Sequence, residues 1–406
     1  MKNSRFGFAL LLLVVSGAIV FLWQISGADP ARAWQAFLIN LLFFSAVAQS
    51  GPVLGAIYHL TEARWGRRVM PLAMGLGSFL PISFVLFAVL FVGFPYLPKY
   101  SSEFPGRHSW FNPLFLIGRD ILGIAILYSV SLAFSYRFLN STLHGTSSYS
   151  SLTESRDFPR NVESGHERRP GGNRNAQKLT PLAVLVVGIY AVVFSLIGFD
   201  LVMALDRQWY STLFGGYFFI SSFYIGLTAI TLTVVILRNY LRPNEQIKSA
   251  ALWDLGKLVF AFCLLTAYFF WAQYLVTWYG NLPEEIGFFM RRLHNPSWAW
   301  LAWTAIAMTF GVPFLALLSQ RAKQSSSVLC FVASIALVGM WLERYLLVVP
   351  SLGSNAAPGF GWTDMIITLS FLAAMIFSYR VYLKLYPLRR SNRGQNEQKI
   401  LSESTQ

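Results

Sequence analysis

Cysteine, histidine and charge are all scarce in this chain, and each scarcity removes a class of function. Two cysteines, Cys263 and Cys330, share no CxxC spacing, which excludes a disulfide framework, a CxxCH haem attachment and an iron–sulfur ligand set. Of five histidines, His108, His144, His166 and His294 fall in polar connecting stretches and His59 at the end of an apolar run. A haem buried between helices needs axial ligands that face each other inside the bilayer, and this placement provides none. No GxxxxGK[ST] phosphate cradle and no GxGxxG in a strand-to-helix context occurs. Only 12% of residues are charged, so no stretch has the composition of a separate soluble domain. Electrons moving over distance would therefore have to travel through other chains.

What the sequence has in abundance is apolar length. Ten runs, at about 6–25, 34–59, 69–92, 113–136, 181–204, 211–237, 253–278, 298–318, 327–349 and 362–383, are each long enough for a helix to cross a bilayer. Such a crossing takes roughly 20 residues at about 1.5 Å each. The runs are continuously apolar rather than alternating, which argues for helices and against a closed barrel. The expected fold is an all-α polytopic membrane protein with ten transmembrane helices. Helices 2 to 5 and 6 to 9 are expected as two four-helix bundles, with helices 1 and 10 peripheral. This organisation puts helices 1 to 4 in residues 1–138, a flexible basic loop at 139–180, helices 5 to 10 in 181–386 and a polar tail at 387–406.

The net charge of +14 follows membrane topology. With the N-terminus inside, 24 of the 32 Lys and Arg residues fall on the inner side. By the positive-inside rule both termini are expected in the cytoplasm, and the basicity requires no nucleic-acid partner. Lys2 and Arg5 before the first run give it a signal-peptide look, but its length favours retention as a helix. The two cysteines read as small buried apolar residues. Gly51 and Gly55 have GxxxG packing spacing, and Pro52, Pro81 and Pro313 sit where they would kink or open helices.

Ionisable residues at membrane depth are costly and are therefore the first functional candidates. Glu343 and Arg344 are the deepest pair, about 9 Å in from the outer end of helix 9. Neighbours on a helix point about 100° apart, so each is expected to find its partner on another helix. Asp200 and Asp206 bracket the outer end of helix 5; Asp206 reads as a cap or turn residue and Asp200 as a proton carrier. Asp254 and Lys257 stand three apart, which suits an intrahelical salt bridge at the inner interface. Glu284 and Glu285 follow helix 7 on the outer side. Between these groups, Gln49, Tyr128, Tyr190, Tyr224, Tyr268, Gln273 and Tyr274 would suit a water chain, although they also suit an aromatic-rich core.

Several of these strings resemble one family. Phe199 to Asp206, followed by Trp209-Tyr210-Ser211-Thr212-Leu213-Phe214-Gly215-Gly216-Tyr217, is similar to the helix 5 to 6 region of the NrfD/polysulfide-reductase-like membrane subunits of alternative complex III. Asp254-Leu255-Gly256-Lys257, Ala267-Tyr268, Gln273-Tyr274 and Trp278-Tyr279-Gly280-Asn281-Leu282-Pro283-Glu284-Glu285 extend the likeness. Met340-Trp341-Leu342-Glu343-Arg344-Tyr345 and Ala63-Arg64-Trp65-Gly66-Arg67-Arg68 complete it, and the length matches the shorter, ActF-like members.

The resemblance implies a subunit of a quinol:electron acceptor oxidoreductase in a bacterial inner membrane. Its implied partners are a larger NrfD-like quinol-binding subunit, an iron–sulfur protein and c-type cytochromes. It implies no metal or covalent cofactor in this chain, haem c and Fe–S clusters only in partners, and menaquinol or quinone at a bundle site. Asp200, Asp206, Asp254, Lys257, Glu284, Glu285, Glu343 and Arg344 are the positions it carries over as candidates for proton half-channels. A stand-alone secondary transporter and a purely structural anchor remain as alternatives.

Overall fold

In a computed structural model the described residues are 2–27, 30–63, 65–93, 110, 112–153, 173–206, 209–238, 247–352 and 358–385. Side chains are described over the same residues except 2–4, 142–153, 173–178 and Glu284. Among the described residues there is no strand, and ten helices are long and apolar enough to span a membrane. They are α1 (Arg5–Ile25), α2 (Pro30–Leu60), α3 (Met70–Val92), α4 (Pro113–Ser141), α5 (Leu179–Leu205), α6 (Phe214–Arg238), α7 (Ser249–Gly280), α8 (Pro296–Leu317), α9 (Ser326–Leu352) and α10 (Trp362–Leu385). Each coincides with one expected apolar run. Helical backbone runs on past α4 to Thr153 and resumes at Asn173, inside the stretch expected to be a flexible loop. Residues 154–172 of that stretch, and the tail from 387, lie outside the described residues.

Packing divides the helices as the sequence anticipates. The first bundle is α2 to α5, the second α6 to α9, and α1 lies along α10 on the flank of α2 and α3. The bundles meet where α6 packs on α2 and α5, with α9 also reaching α2. Small residues permit the close crossings: a Cβ on Gly51 would strike the Ala73 backbone, one on Gly55 the Met74 side chain, and one on Gly226 the Cβ of Ser50. Gly51 and Gly55 thus seat α3 on α2, while Gly226 sets the distance between bundles.

α2 is the hub, and the whole apolar window that identifies it as a span is buried inside the protein. Its polar residues are partnered accordingly. Asn40 Nδ2 donates to Thr368 Oγ1 of α10 at 3.0 Å, and Asn40 Oδ1 accepts from Trp341 Nε1 of α9 at 3.0 Å. Gln49 Nε2 donates to Ser131 Oγ of α4 at 2.7 Å.

The three intramembrane prolines act differently. α2 continues as one helix through Pro52. α3 tightens to a 3₁₀ turn at Gly77–Phe79 just before Pro81, and α8 widens to a π turn at Ala307–Gly311 just before Pro313. Proline has no N–H for the carbonyl four residues back, so Pro313 releases the Thr309 carbonyl. Tyr224 of α6 uses it, its hydroxyl donating to Thr309 O at 3.0 Å. A kink read from sequence thus becomes a specific contact between α6 and α8.

Candidate functional site

Arg344 is wholly buried, about two turns in from the Leu352 end of α9, and its charge is met from two helices. One guanidinium nitrogen lies 3.0 Å from Glu343 Oε2, and the other donates to Ser221 Oγ at 2.9 Å and Ser222 Oγ at 3.0 Å on α6. The guanidinium also lies 4.3 Å from the centre of the Phe218 ring, a cation–π contact. Glu343 in turn accepts from the Tyr217 hydroxyl at 2.5 Å. The expectation that Glu343 and Arg344 would each pair elsewhere, and not with each other, is therefore half right. Both long side chains bend toward α6, which brings their ends together although their Cα–Cβ bonds diverge.

Glu343 and Tyr217 form part of the wall of a cavity of about 700 Å³ enclosed by α6 to α9. Most of its lining is aromatic and aliphatic, with a few polar groups set into it. Gln273 donates through Nε2 to Phe269 O at 3.1 Å on its own helix, which fixes the amide orientation and leaves Oε1 without a partner. The Thr266 hydroxyl is also without one, and both side chains are more than nine-tenths buried. A helical threonine ordinarily bonds back to a carbonyl one turn earlier, so an unbonded hydroxyl here is a group kept available.

A short helix, Pro283–Phe289, and the turn Met290–His294 close the cavity at the end of the bundle that the charge bias places outside. Arg292 anchors this cap. It is 5% exposed and donates to Phe288 O, Leu346 O, Leu347 O and Ser351 Oγ, at 2.6 to 3.3 Å. The Leu346 carbonyl is available because its usual donor position is Pro350, which has no N–H. A cation at the carbonyl end of α9 also suits the helix dipole. Burial pulls the Arg292 guanidinium down to about 9, with Asp206 nearby acting in the opposite direction. Beside it, Arg291 pairs with Asp206, and Trp209 stacks on Phe288 at 3.8 Å between ring centres. Asp206 sits in the bend that follows α5, in keeping with the turn position expected of it, and its pairing with Arg291 ties the cap to the α5–α6 connection.

A second charged cluster lies in the first bundle. Arg119 of α4 donates to Asp200 Oδ2 of α5 at 2.5 Å and lies 3.8 Å from Asp120 Oδ1. Asp120 and Asp200 are 3% and 0% exposed, and the guanidinium also lies 3.9 Å from the centre of the Trp110 ring. The charge pattern treats Arg119 as an outer-side cation, and nothing marks Asp120. The signal that would have found them is an adjacent Arg-Asp pair one to two turns inside an apolar run.

The remaining candidates are dispersed. Asp254 and Lys257 form the expected intrahelical pair at 2.6 Å, with Lys257 48% exposed, at the opposite end of the molecule from Glu343. Glu285 is half-buried on the short helix, and the Glu284 side chain lies outside the described residues. The expected water-chain residues do not line up. Tyr128 pairs with Ser83, and Tyr190 donates to Phe219 O; of the expected set, Gln273, Tyr274 and the largely exposed Tyr268 line the cavity with Glu343. Among the described residues no cluster of three His, Cys, Asp or Glu side chains has the arrangement of a metal site. No protein-family model matches the chain, and comparison with curated proteins finds no match.

Proposed function

We propose that this chain is a metal-free membrane subunit of a quinol-oxidising respiratory complex of the alternative complex III type. In this reading it sits in a bacterial cytoplasmic membrane with both termini inside. A larger NrfD-like subunit, an iron–sulfur protein and c-type cytochromes complete the electron path. Its own contribution is to the handling of protons, through ionisable groups held at membrane depth. The observation that carries this reading is the Tyr217–Glu343–Arg344 arrangement at the wall of the second-bundle cavity. A carboxylate there has a phenol to exchange a proton with and an arginine to hold its charge, in a setting where an isolated charge would be too costly to keep.

The family implies quinol, and the cavity's chemistry suits such a ring: apolar and aromatic walls with few, widely separated polar groups. Tyr217, Glu343 and Gln273 are the residues that would face it. Bound there, quinol would supply hydroxyl protons, and Glu343 is the nearest carboxylate able to accept one.

The test is purification of tagged protein from native membranes in mild detergent, followed by an optical spectrum and identification of accompanying chains. Recovery with c-type haem, an iron–sulfur protein and a second NrfD-like chain is expected. Within that assembly, Glu343→Gln should lower turnover or proton release per electron without disturbing assembly. Recovery of a colourless chain alone would overturn this reading in favour of a transporter. Normal turnover and proton stoichiometry in the Glu343→Gln complex would reduce the chain to an anchor.

A further inference from the structure

We infer that the second bundle binds a lipid-soluble ring carrying at least one free hydroxyl, admitted from the bilayer between α7 and the outer half of α8 and held by Gln273 and Thr266. This deepens the quinol reading above by assigning a binding site, an entry route and a preferred chemical form within this chain.

The route follows from how α8 is packed. Its first half, Pro296–Ile306, lies mainly against α9 and the Met290–His294 turn, whereas α7 meets α8 chiefly through Val312–Leu317 and the following Gln320–Gln324 segment. The π turn at Ala307–Gly311 separates the two halves. Tyr268 and Trp271 on α7 and Trp303 on α8 line the cavity, yet they are 64%, 56% and 60% exposed. Side chains that are both cavity wall and outer surface mark its mouth. In a helix bundle this outer surface faces lipid, while the Arg292-anchored cap covers the end toward water. A ligand using this mouth must therefore dissolve in the membrane.

The preferred form follows from hydrogen-bond accounting. Gln273 Oε1 is a buried acceptor without a partner, in an amide held in orientation by one Nε2–H to Phe269 O, so only a donor can satisfy the oxygen. The Thr266 hydroxyl, two turns earlier on the same face of α7, offers either role. A hydroxylated ring satisfies Gln273; a dione of the same skeleton offers no donor and leaves the buried oxygen unpaired. A phospholipid tail satisfies neither group. Sites built around a hydrogen bond reject analogues that lack it far more strongly than apolar pockets reject changes of shape.

The test uses the full chain in lipid nanodiscs and measures equilibrium binding of three probes under anaerobic conditions. They are a short-tailed naphthohydroquinone, its naphthoquinone, and an isoprenoid hydrocarbon of the same tail length. The hydroquinone should bind at least tenfold more tightly than the quinone, and the tail hydrocarbon should not compete with it. Gln273→Leu should remove most of that preference while leaving thermal unfolding close to that of the unaltered protein, and Thr266→Val should weaken binding of the hydroquinone. Trp303→Ala should change the association and dissociation rates together, as expected for a mouth residue. Equal binding of both redox forms, or an unchanged preference in folded Gln273→Leu, would overturn the inference. These binding measurements require no partner chains. Their failure leaves the respiratory-complex reading to its own test, and isolation of the chain without partners leaves these measurements intact.

Discussion

At the scale of single residues, the chain concentrates its membrane-depth charge in two clusters, and their energetics favour intact sets over any single member. Arg344 sits at 0% exposure with Glu343 and two serines as its partners. Removing one member of a buried ion pair strands the other and costs roughly 3 kcal/mol or more, whereas replacing the pair together costs much less. Arg344→Met should therefore lower the unfolding temperature in detergent markedly, and adding Glu343→Gln to it should restore part of the loss. Additive losses in the double variant would show that the two side chains are not energetically coupled. The contrast with Lys257 is instructive, because its partner Asp254 is comparable in sequence separation but the lysine is half exposed. Surface pairs of this kind contribute little.

Residue-level legibility divided along the same line. Local partners were readable: the 254–257 spacing pointed to the pair that forms. Partners across helices were not, because sequence spacing does not report which faces of two helices meet. The pairing of Arg119 with Asp200 is hidden for that reason, and so is the anchoring role of Arg292, three of whose four acceptors lie more than fifty residues away.

Among the helices, close approach is governed by where a side chain would collide. The matched substitutions Gly226→Ala and Gly188→Ala add the same methyl group to mid-helix glycines, in α6 and α5. At Gly226 the new Cβ meets Ser50 of α2, while at Gly188 nothing lies within 4 Å. Gly226→Ala should cost about 1–3 kcal/mol by overpacking, and Gly188→Ala should be neutral or stabilising by up to about 1 kcal/mol because alanine is the better helix former. Thermal unfolding of the two variants, compared in the same detergent, checks this. Equal responses would mean that the α2–α6 crossing is not limited by steric contact. The ten helices themselves were legible because bilayer thickness imposes a length that composition reveals. The irregular turns were only partly so: a proline signals a missing hydrogen bond, but not whether the helix answers with a 3₁₀ turn, a π turn or no break at all.

For the whole molecule, the two-bundle arrangement with flanking α1 and α10 agrees with the division drawn from helix count and resemblance. Orientation is the matter left to experiment, and the charge distribution makes a definite forecast. Both native cysteines lie within spans, Cys263 buried and Cys330 partly so. In a variant with both replaced by alanine, a cysteine introduced at exposed Ser319 should react with an impermeant thiol reagent only after the membrane is opened. One introduced at exposed Asn281 should react in intact cells stripped of any outer barrier. The reverse pattern would invert the topology and place the cavity cap on the cytoplasmic side.

The enclosure of the apolar stretch of α2 bears on biogenesis. Helices leave the ribosome in order, and α2 is among the first to emerge; within it Ser50 Oγ donates to Val47 O and Asn40 Nδ2 to Ala36 O, but the Asn40 Oδ1 and the Gln49 amide meet a hydrocarbon environment that cannot satisfy them. Gln49 gains Ser131 once α4 arrives, but Asn40 waits for Trp341 and Thr368, and the groove at Gly226 that receives Ser50 belongs to α6. The helix most thoroughly surrounded in the finished protein is thus left incomplete through most of its own synthesis. A nascent chain arrested after α5 should retain α2 against an insertase or chaperone, making the last helices to be translated the ones that release the second.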